Sequence, residues 1–393
     1  MVNAVYDHLI AILVVGAMFV GTVVVLPSMS FVNLQAVDQQ QLRNTALNVF
    51  NAMLLDPGDP ADWGSIDPNW SSGAVKRFGL APGQNSTFYV LDPDKVQRLV
   101  KGNPLGELSY AEAKDLLGLQ GYGFSFRIIP PFNVTNVNGT KIDTEHSPLE
   151  FVGPPTYNTL RCAIKVSYLD GRPIPNATVQ GTLFYTSKDD FFITPSNKDL
   201  TDALGICRKD TALCIGQGDI KSLITVLSVT VSDVATIVVI YKSGSVNIVD
   251  INLVRDTMIL TRTLETPRDN VWINNATFIR GGKELVYLFN SSRKNDKDYQ
   301  LNTGAKRMWE RSFYGLSKYD PVVFVLNFWA VDKDGRGRSE IVIAGPCQNL
   351  MGYSVFEYGD PPRSSHSVVK IQRSVVISSM TYTAELWLWK ESP

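Results

Sequence analysis

The sequence predicts an α+β chain that is mostly β: one long N-terminal helix followed by a β-rich head. Three observations predict it. Leu9–Leu26 is a run of eighteen residues without a charge, close to the about 20 apolar residues that carry a helix across a hydrocarbon core. Phe31, Leu34, Leu42, Ala46, Val49, Phe50 and Met53 then recur at spacings that place them on one helical face. Beyond residue 157, short runs of alternating apolar and polar residues lie between turn signals, the pattern of strands in a sandwich.

Taken in order, residues 1–30 read as a transmembrane helix and 31–57 as its amphipathic continuation, a stalk. Pro27 bends such a helix without having to end it. Unbroken, the two parts span about 75 Å at about 1.5 Å per residue. Asp56-Pro57-Gly58-Asp59-Pro60 stops the helix. A cleaved secretory signal is the alternative, but residues 1–8 contain no Lys or Arg and the apolar run is long for one. Ala17-x-x-x-Gly21 is a pair of small residues that permits close packing of helices between subunits. Asp7 is the one acidic residue at the apolar end, where a carboxylate is costly unless paired or solvated.

Residues 58–157 read as the first part of an α+β head. Asp92-Pro93 starts a short helix, with Asp92 as N-cap and Pro93 at the first helical position. Ser109-Tyr110-Ala111-Glu112 is a capping box, and Gly118 stands where a C-terminal cap belongs. Residues 158–260 read as an all-β sandwich, with turns at Asp170-Gly171-Arg172-Pro173 and Ser243-Gly244. Residues 261–393 read as a second, β-rich part of the head, closing on a hairpin around Ser378-Ser379.

A net charge of −1 and 19% charged residues give no basic patch for nucleic acid. No Gly-rich phosphate loop, His-Glu-x-x-His, Gly-x-Ser-x-Gly or Cys-x-x-Cys occurs. The expectation is therefore no enzyme, no cofactor and no resident metal. His8 lies at the apolar segment; His146 and His366 read as solvated loop residues. Asp332-Lys333-Asp334-Gly335 lacks the further ligands of a calcium loop and reads as a turn. Phe324, Phe328, Trp329, Trp387 and Trp389 could line a sugar-binding face, but core packing is the stronger reading for aromatic residues on strands.

Orientation rests on two sets of residues, all beyond the stalk. Seven Asn-x-Ser/Thr sequons mark glycosylation candidates at Asn69, Asn85, Asn133, Asn138, Asn176, Asn275 and Asn290. The four cysteines fit disulfides of an oxidising compartment, with Cys207–Cys214 closing a small loop and Cys162–Cys347 a long-range staple; buried free thiols are the alternative. These features place the N-terminus inside, a single span in the cell membrane, and the bulk of the chain outside.

Two resemblances add to this. Asp170-Gly171-Arg172-Pro173-Ile174-Pro175-Asn176-Ala177-Thr178-Val179 and Thr201-Asp202-x-x-Gly205 resemble immunoglobulin-like and carboxypeptidase-regulatory-like β-sandwich modules, which implies a spacer or adhesive unit. The apolar helix with Pro27, the amphipathic continuation, Leu54-Leu55-Asp56-Pro57-Gly58-Asp59-Pro60 and the ending Tyr382-Thr383-Ala384-Glu385-Leu386-Trp387-Leu388-Trp389 resemble archaeal type IV pilins and pilin-like proteins. The basic leader of that family is absent, and Asp7 is the only match for its N-terminal acid. The resemblance implies a non-enzymatic surface protein that assembles into filaments or adheres. Its partners would be membrane lipid, other copies or pilin-like subunits joined through Asp7, Ala17, Gly21 and Pro27 of the helix, and a cell-envelope component. A membrane-tethered ectodomain that binds a ligand, a cell-envelope component or a transporter partner without forming filaments is the other reading.

Overall fold

The structure is a computed structural model. It describes residues 2–65, 70–83, 89–103, 105–142, 146–153, 158–187, 190–242, 249–262, 270–280, 284–290, 300–301, 308–312, 316, 321–331, 337–345, 355–362 and 367–391.

Three α-helices are described: α1 (Val2–Leu55), α2 (Pro93–Gln97) and α3 (Tyr110–Leu116). Among the described residues the strands are β1 (Tyr122–Ile129), β2 (Asn133–Asn136), β3 (Leu149–Phe151), β4 (Thr159–Ser167), β5 (Thr178–Thr186), β6 (Phe191–Pro195), β7 (Asp199–Leu200), β8 (Ile206–Ala212), β9 (Ser222–Val231), β10 (Val234–Lys242), β11 (Val249–Val254), β12 (Thr257–Arg262), β13 (Asn270–Arg280), β14 (Glu284–Asn290), β15 (Gln300–Leu301), β16 (Met308–Ser312), β17 (Pro321–Val331), β18 (Gly337–Ala344), β19 (Phe356–Gly359), β20 (Val368–Ile377) and β21 (Met380–Lys390).

The head is a four-stranded antiparallel sheet in the order β19-β1-β21-β20, with helices on one face. Side chains alternate across a strand. Phe124, Phe126 and Ile128 of β1 and Ala384, Leu386 and Leu388 of β21 are therefore buried together on the helical face. The last turns of α1 pack there through Leu42, Ala46, Val49, Phe50, Met53 and Leu54. Pro57 cannot donate to the helical ladder, and the Asp56 carboxylate accepts from the Gly58 N–H at 2.7 Å, so the helix ends there. Asp92 caps α2 and the Ser109/Glu112 capping box starts α3. Gly118, at φ +66°, follows α3 in the left-handed conformation.

The other four sheets form a stack. Sheet β2-β4-β3, with β8 on β4, faces sheet β10-β9-β5-β6 across a core that includes Val134, Leu160, Ile164, Val166, Leu183, Tyr185, Leu227 and Val229. Sheet β14-β13-β17-β18 faces sheet β11-β12-β16 across a core of Phe278, Phe324, Leu326, Phe328, Ile251, Met258 and Leu260. The two inner sheets then meet back to back. Phe184, Ile224, Val226, Ile237 and Val239 of one share a cluster with Ile279, Val323, Val325, Ile341 and Ile343 of the other. A polar stitch accompanies them: Thr186 Oγ1 donates to the Ser339 carbonyl at 3.1 Å. Asn327 Nδ2 donates to Ser339 Oγ at 2.8 Å and to the Glu340 carbonyl at 3.0 Å. The head joins the stack where β10 packs against β21.

Three expectations are corrected. The helix-led α+β architecture gives way to a set of antiparallel sheets: strands hold 49% of the residues and helices 18%. The second half of α1 is not a stalk below the head but part of its core, because its apolar stripe has a sheet to cover it. The expected single span in the cell membrane, with the N-terminus inside, is overturned as well. Among the described residues no helix is long and apolar enough to cross a membrane. The divisions expected at 157/158 and 260/261 also differ from the sheet boundaries: β2 and β3 pair with β4, and β12 pairs with β16. Two sandwiches, not one, stand between β1 and β19.

Candidate functional site

The first candidate is the N-terminal half of α1. Ile10, Ile12, Leu13, Val14, Val15, Met18, Phe19 and Val20 are between 51% and 71% exposed. At about 3.6 residues per turn these positions point to all sides of the helix. A Cβ built on Gly16 would meet nothing within 4 Å, and Ala17 is exposed. The side chains of Asp7 and Pro27 and the surroundings of Gly21 lie outside the described residues. Where α1 reaches the head, Lys390 Nζ donates to Asp38 Oδ1 at 2.9 Å. A pocket of about 330 Å³ opens beside this pair, lined by Asp38, Gln39, Leu42, Ser367 and Lys390.

The second candidate is a buried ionic cluster around α2 that composition did not reveal. Lys95 is wholly buried and donates to the carbonyls of Pro57 (2.8 Å) and Ala81 (2.6 Å), with Asp92 3.9 Å away. Gly64 makes this possible: a Cβ there would lie 2.6 Å from the Lys95 backbone nitrogen. Burial lowers the Lys95 pKa, against the pull of Asp92. Arg98 donates to the carbonyls of Gly64 (3.3 Å) and Ser65 (3.0 Å) and stacks 4.4 Å over the Trp70 ring. Burial brings its pKa down to about 10.

Asp94 is 4% exposed. Burial, and then the charge of Asp92, push its carboxyl up to about 8. The backbone N–H and guanidinium of Arg255, in the β11–β12 turn, oppose that rise. Gln97 Nε2 donates to the Leu253 carbonyl at 3.0 Å, a second bridge from α2 to the same hairpin. The cluster turns its donors toward carbonyls of the chain itself, so it holds structure together.

The outer face of the head sheet carries a third group. Glu385 is buried among Lys370 (2.7 Å), Gln372, Trp387 Nε1 (3.2 Å) and Arg127 (3.9 Å). Burial pushes its carboxyl up, but the hydrogen bonds from Lys370, Gln372 and Trp387 outweigh it and hold the pKa below the ordinary value. Trp387 lies between Arg127 and Lys370, 5.8 and 5.4 Å from its ring. Phe324, Phe328 and Trp389 are buried, as core packing requires.

The cysteines differ from the expected pairing. Cys162, Cys207 and Cys214 are free thiols, and Cys347 lies outside the described residues. Cys207 is buried in the first sandwich, whereas Cys214 is exposed and its backbone N–H donates to the Tyr185 hydroxyl at 2.8 Å. The proposed small loop therefore has one sulfur in the core and the other outside. Cys162 stands opposite Lys209 and Cys207 opposite Ile164, so both sulfurs sit on one face of the sheet. Burial first, then the neighbouring Cys207, pushes Cys162 up to about 12; burial first, then Asp199, pushes Cys207 up to about 11. Such thiols stay protonated near neutrality and are poor nucleophiles.

Of the sequons, Asn138 and Asn176 are exposed, while Asn133 and Asn275 are half-buried. Asn69, Asn85 and the Asn290 side chain lie outside the described residues, as do the His8 side chain, His366 and Asp332-Lys333-Asp334-Gly335. No group of three or more His, Cys, Asp or Glu side chains is placed to hold a metal ion among the described residues.

No family model matches the chain. No curated protein matches it. Solved structures with partial likeness include a Salmonella alpha-2-macroglobulin, at 10% identity over 62% of this chain and 19% of that one, TM-score 0.18. Another is invasin, a bacterial integrin-binding protein, at 12% identity over 65% of this chain and 54% of that one, TM-score 0.17. A third is a bacterial ice-binding adhesin, at 10% identity over 66% of this chain and 85% of that one, TM-score 0.15. At these TM-scores the likenesses carry no argument about fold or function.

Proposed function

We propose that the protein is a non-catalytic, pilin-like assembly and adhesion protein, in which the N-terminal half of α1 packs against the same helix of neighbouring copies and the β-rich head is displayed. The observation that carries this is the all-round exposure of apolar side chains from Ile10 to Val20. A helix that is apolar on every side belongs in a buried setting, and burying each such side chain is worth about 1.5–3 kcal/mol. The chain from Leu9 to Val37 has no charge to oppose close packing of identical helices. Gly16 and Ala17 leave room for neighbouring backbones to approach. The helix is a firm handle because its other end is built into the head core. Adhesion would then reside in the head and its two sandwiches.

Sedimentation of the full chain over a range of concentrations, with electron microscopy of the heaviest fraction, tests the reading. The expected result is oligomers or filaments that disappear in Leu13→Asp/Val20→Asp while the thermal unfolding of the head stays in place. A monomer at every concentration, or an assembly indifferent to both substitutions, overturns it.

A further inference from the structure

We propose that the tip of the first sandwich, formed by the turns after β4 and β7, docks on a phospholipid surface. Tyr168, Leu169, Leu200 and Leu204 enter the acyl boundary, with Arg172 and Lys198 at the level of the phosphates. This gives the adhesive part of the proposed function a surface and a ligand, and it rests on that reading.

Among the described residues beyond α1, six large apolar side chains are exposed, and four of them belong to this tip: Tyr168 (46%), Leu169 (51%), Leu200 (55%) and Leu204 (64%). Single exposed apolar residues are ordinary, whereas a group of them marks an interaction surface. The two turns are sewn together. The Val166 N–H donates to the Gly205 carbonyl at 2.7 Å and the Asn176 N–H to the Thr201 carbonyl at 2.9 Å. Thr201 Oγ1 donates to the Ile174 carbonyl at 2.8 Å and accepts from the Ala177 N–H at 2.8 Å. The apolar group is therefore held in place before it meets anything, and docking forfeits little conformational freedom.

The charges select the partner. Each carboxylate of the two turns is engaged within the tip. Asp170 accepts from the Arg172 backbone N–H at 3.1 Å and from its Nε at 2.8 Å. Asp199 accepts from the Leu200 N–H at 2.9 Å. Asp202 accepts from the Leu204 and Ile206 N–H groups at 2.9 and 2.8 Å, the bonds that shape the turn presenting Leu204. The cations face outward: Lys198 is exposed, and the Arg172 side chain, 76% exposed, lies 5.5 Å from the Tyr168 ring. Leucines, an amphipathic tyrosine and long cationic side chains match the layers of a bilayer: hydrocarbon, interface and phosphate. Lipid also closes around protruding side chains, where a protein partner must supply a matching hollow. A sugar would stack on an open aromatic face, and the Tyr168 ring has Arg172 against it.

Flotation with vesicles of equal parts phosphatidylcholine and phosphatidylglycerol is the test. Because α1 carries apolar surface of its own, the full chain bearing Leu13→Asp/Val20→Asp serves as the parent. The parent should float with the vesicles. Adding Leu169→Asp/Leu204→Asp should lower its partition coefficient about tenfold or more, and adding Lys198→Gln about fivefold. These side chains are exposed, so the thermal unfolding of the sandwich should stay in place. Should the double tip variant fail to fold, Leu204→Ser, at the most exposed of the four positions, decides by a several-fold loss of flotation. A parent that stays at the bottom of the gradient overturns the proposal, and so does a tip variant that floats like its parent. Self-association of the parent that the tip substitutions abolish, with no flotation, would make the tip a contact between copies and overturns it too. Assembly without vesicles reads α1 and flotation in this background reads the tip, so either reading can fail alone.

Discussion

Replacing Lys95 by Met tests whether the buried cluster around α2 holds the head together. Methionine keeps most of the unbranched stem, so the cavity left behind is small and the change is mainly one of charge and hydrogen bonding. Lys95 is 0% exposed, and its ammonium serves the carbonyls of Pro57 and Ala81 and neighbours Asp92. Hydrogen bonds from a charged donor contribute about 1.5–3 kcal/mol each, and stranding one partner of a buried ion pair costs about 3–5 kcal/mol. These overlap, because the same ammonium is removed once, so the expected loss is about 3–5 kcal/mol. Urea denaturation followed by tryptophan fluorescence reads it, since Trp63 and Trp70 sit beside α2. Adding Asp92→Asn removes the stranded carboxylate while keeping a residue that caps helices well. The double variant should therefore be more stable than the sum of the two losses by about 1–3 kcal/mol. A loss below about 1 kcal/mol in the single variant, or strict additivity in the pair, refutes the reasoning.

Phe50→Ala, at the point where α1 enters the head core, should lower stability by about 3–5 kcal/mol in the same titration; a negligible effect would mean that the helix only rests against the sheet. Ser109→Ala removes the side-chain half of the capping box at α3, and a loss of about 1 kcal/mol is expected. Thiol alkylation at pH 8, mapped by peptide, should modify Cys214 quickly and leave Cys162 and Cys207 protected until the protein unfolds. Fast reaction at Cys207 would contradict its burial. Gly205, at φ +72° with the Val166 carbonyl 2.3 Å from a built Cβ, should not tolerate Ala: a loss of about 1–3 kcal/mol is expected in the melting of the first sandwich.

Local signals were legible in the sequence because they act over three or four residues. Asp92 and Ser109 cap their helices through their own side chains. The Ser378-Ser379 turn, with both residues at positive φ, closes β20 on β21 at the expected place. The stripe from Leu42 to Met53 is buried on one face. What the stripe packs against was not legible, because periodicity identifies an apolar face and not its neighbour. The stacking of sheets escaped for a related reason. Residues 222–229 of β9 are buried without a break, since that strand lies in a sheet covered on both sides, and a continuous apolar run does not state how many layers surround it. Nothing in the sequence marks Lys95 and Arg98; only the fold brings the carbonyls of Pro57, Ala81, Gly64 and Ser65 to them. The exposed helix, the site that matters most for the proposed assembly, was visible as composition, while the exposure of its side chains from Ile10 to Val20 was not.

The pairing of β1 has a consequence for how the protein is made. Ser125 stands opposite Gly359 on one side and Trp387 on the other, so both neighbours of this strand are synthesised after the two sandwiches. At about 5–20 residues per second, the interval between β1 and the end of β21 lasts on the order of ten to fifty seconds. The two sandwiches emerge complete within that interval and can fold first. Phe124, Phe126 and Ile128 meanwhile wait with the apolar stripe of α1 and no sheet to join. The head is therefore completed only after both sandwiches, and the nascent chain carries the apolar faces of α1 and β1 uncovered by their sheet throughout that interval.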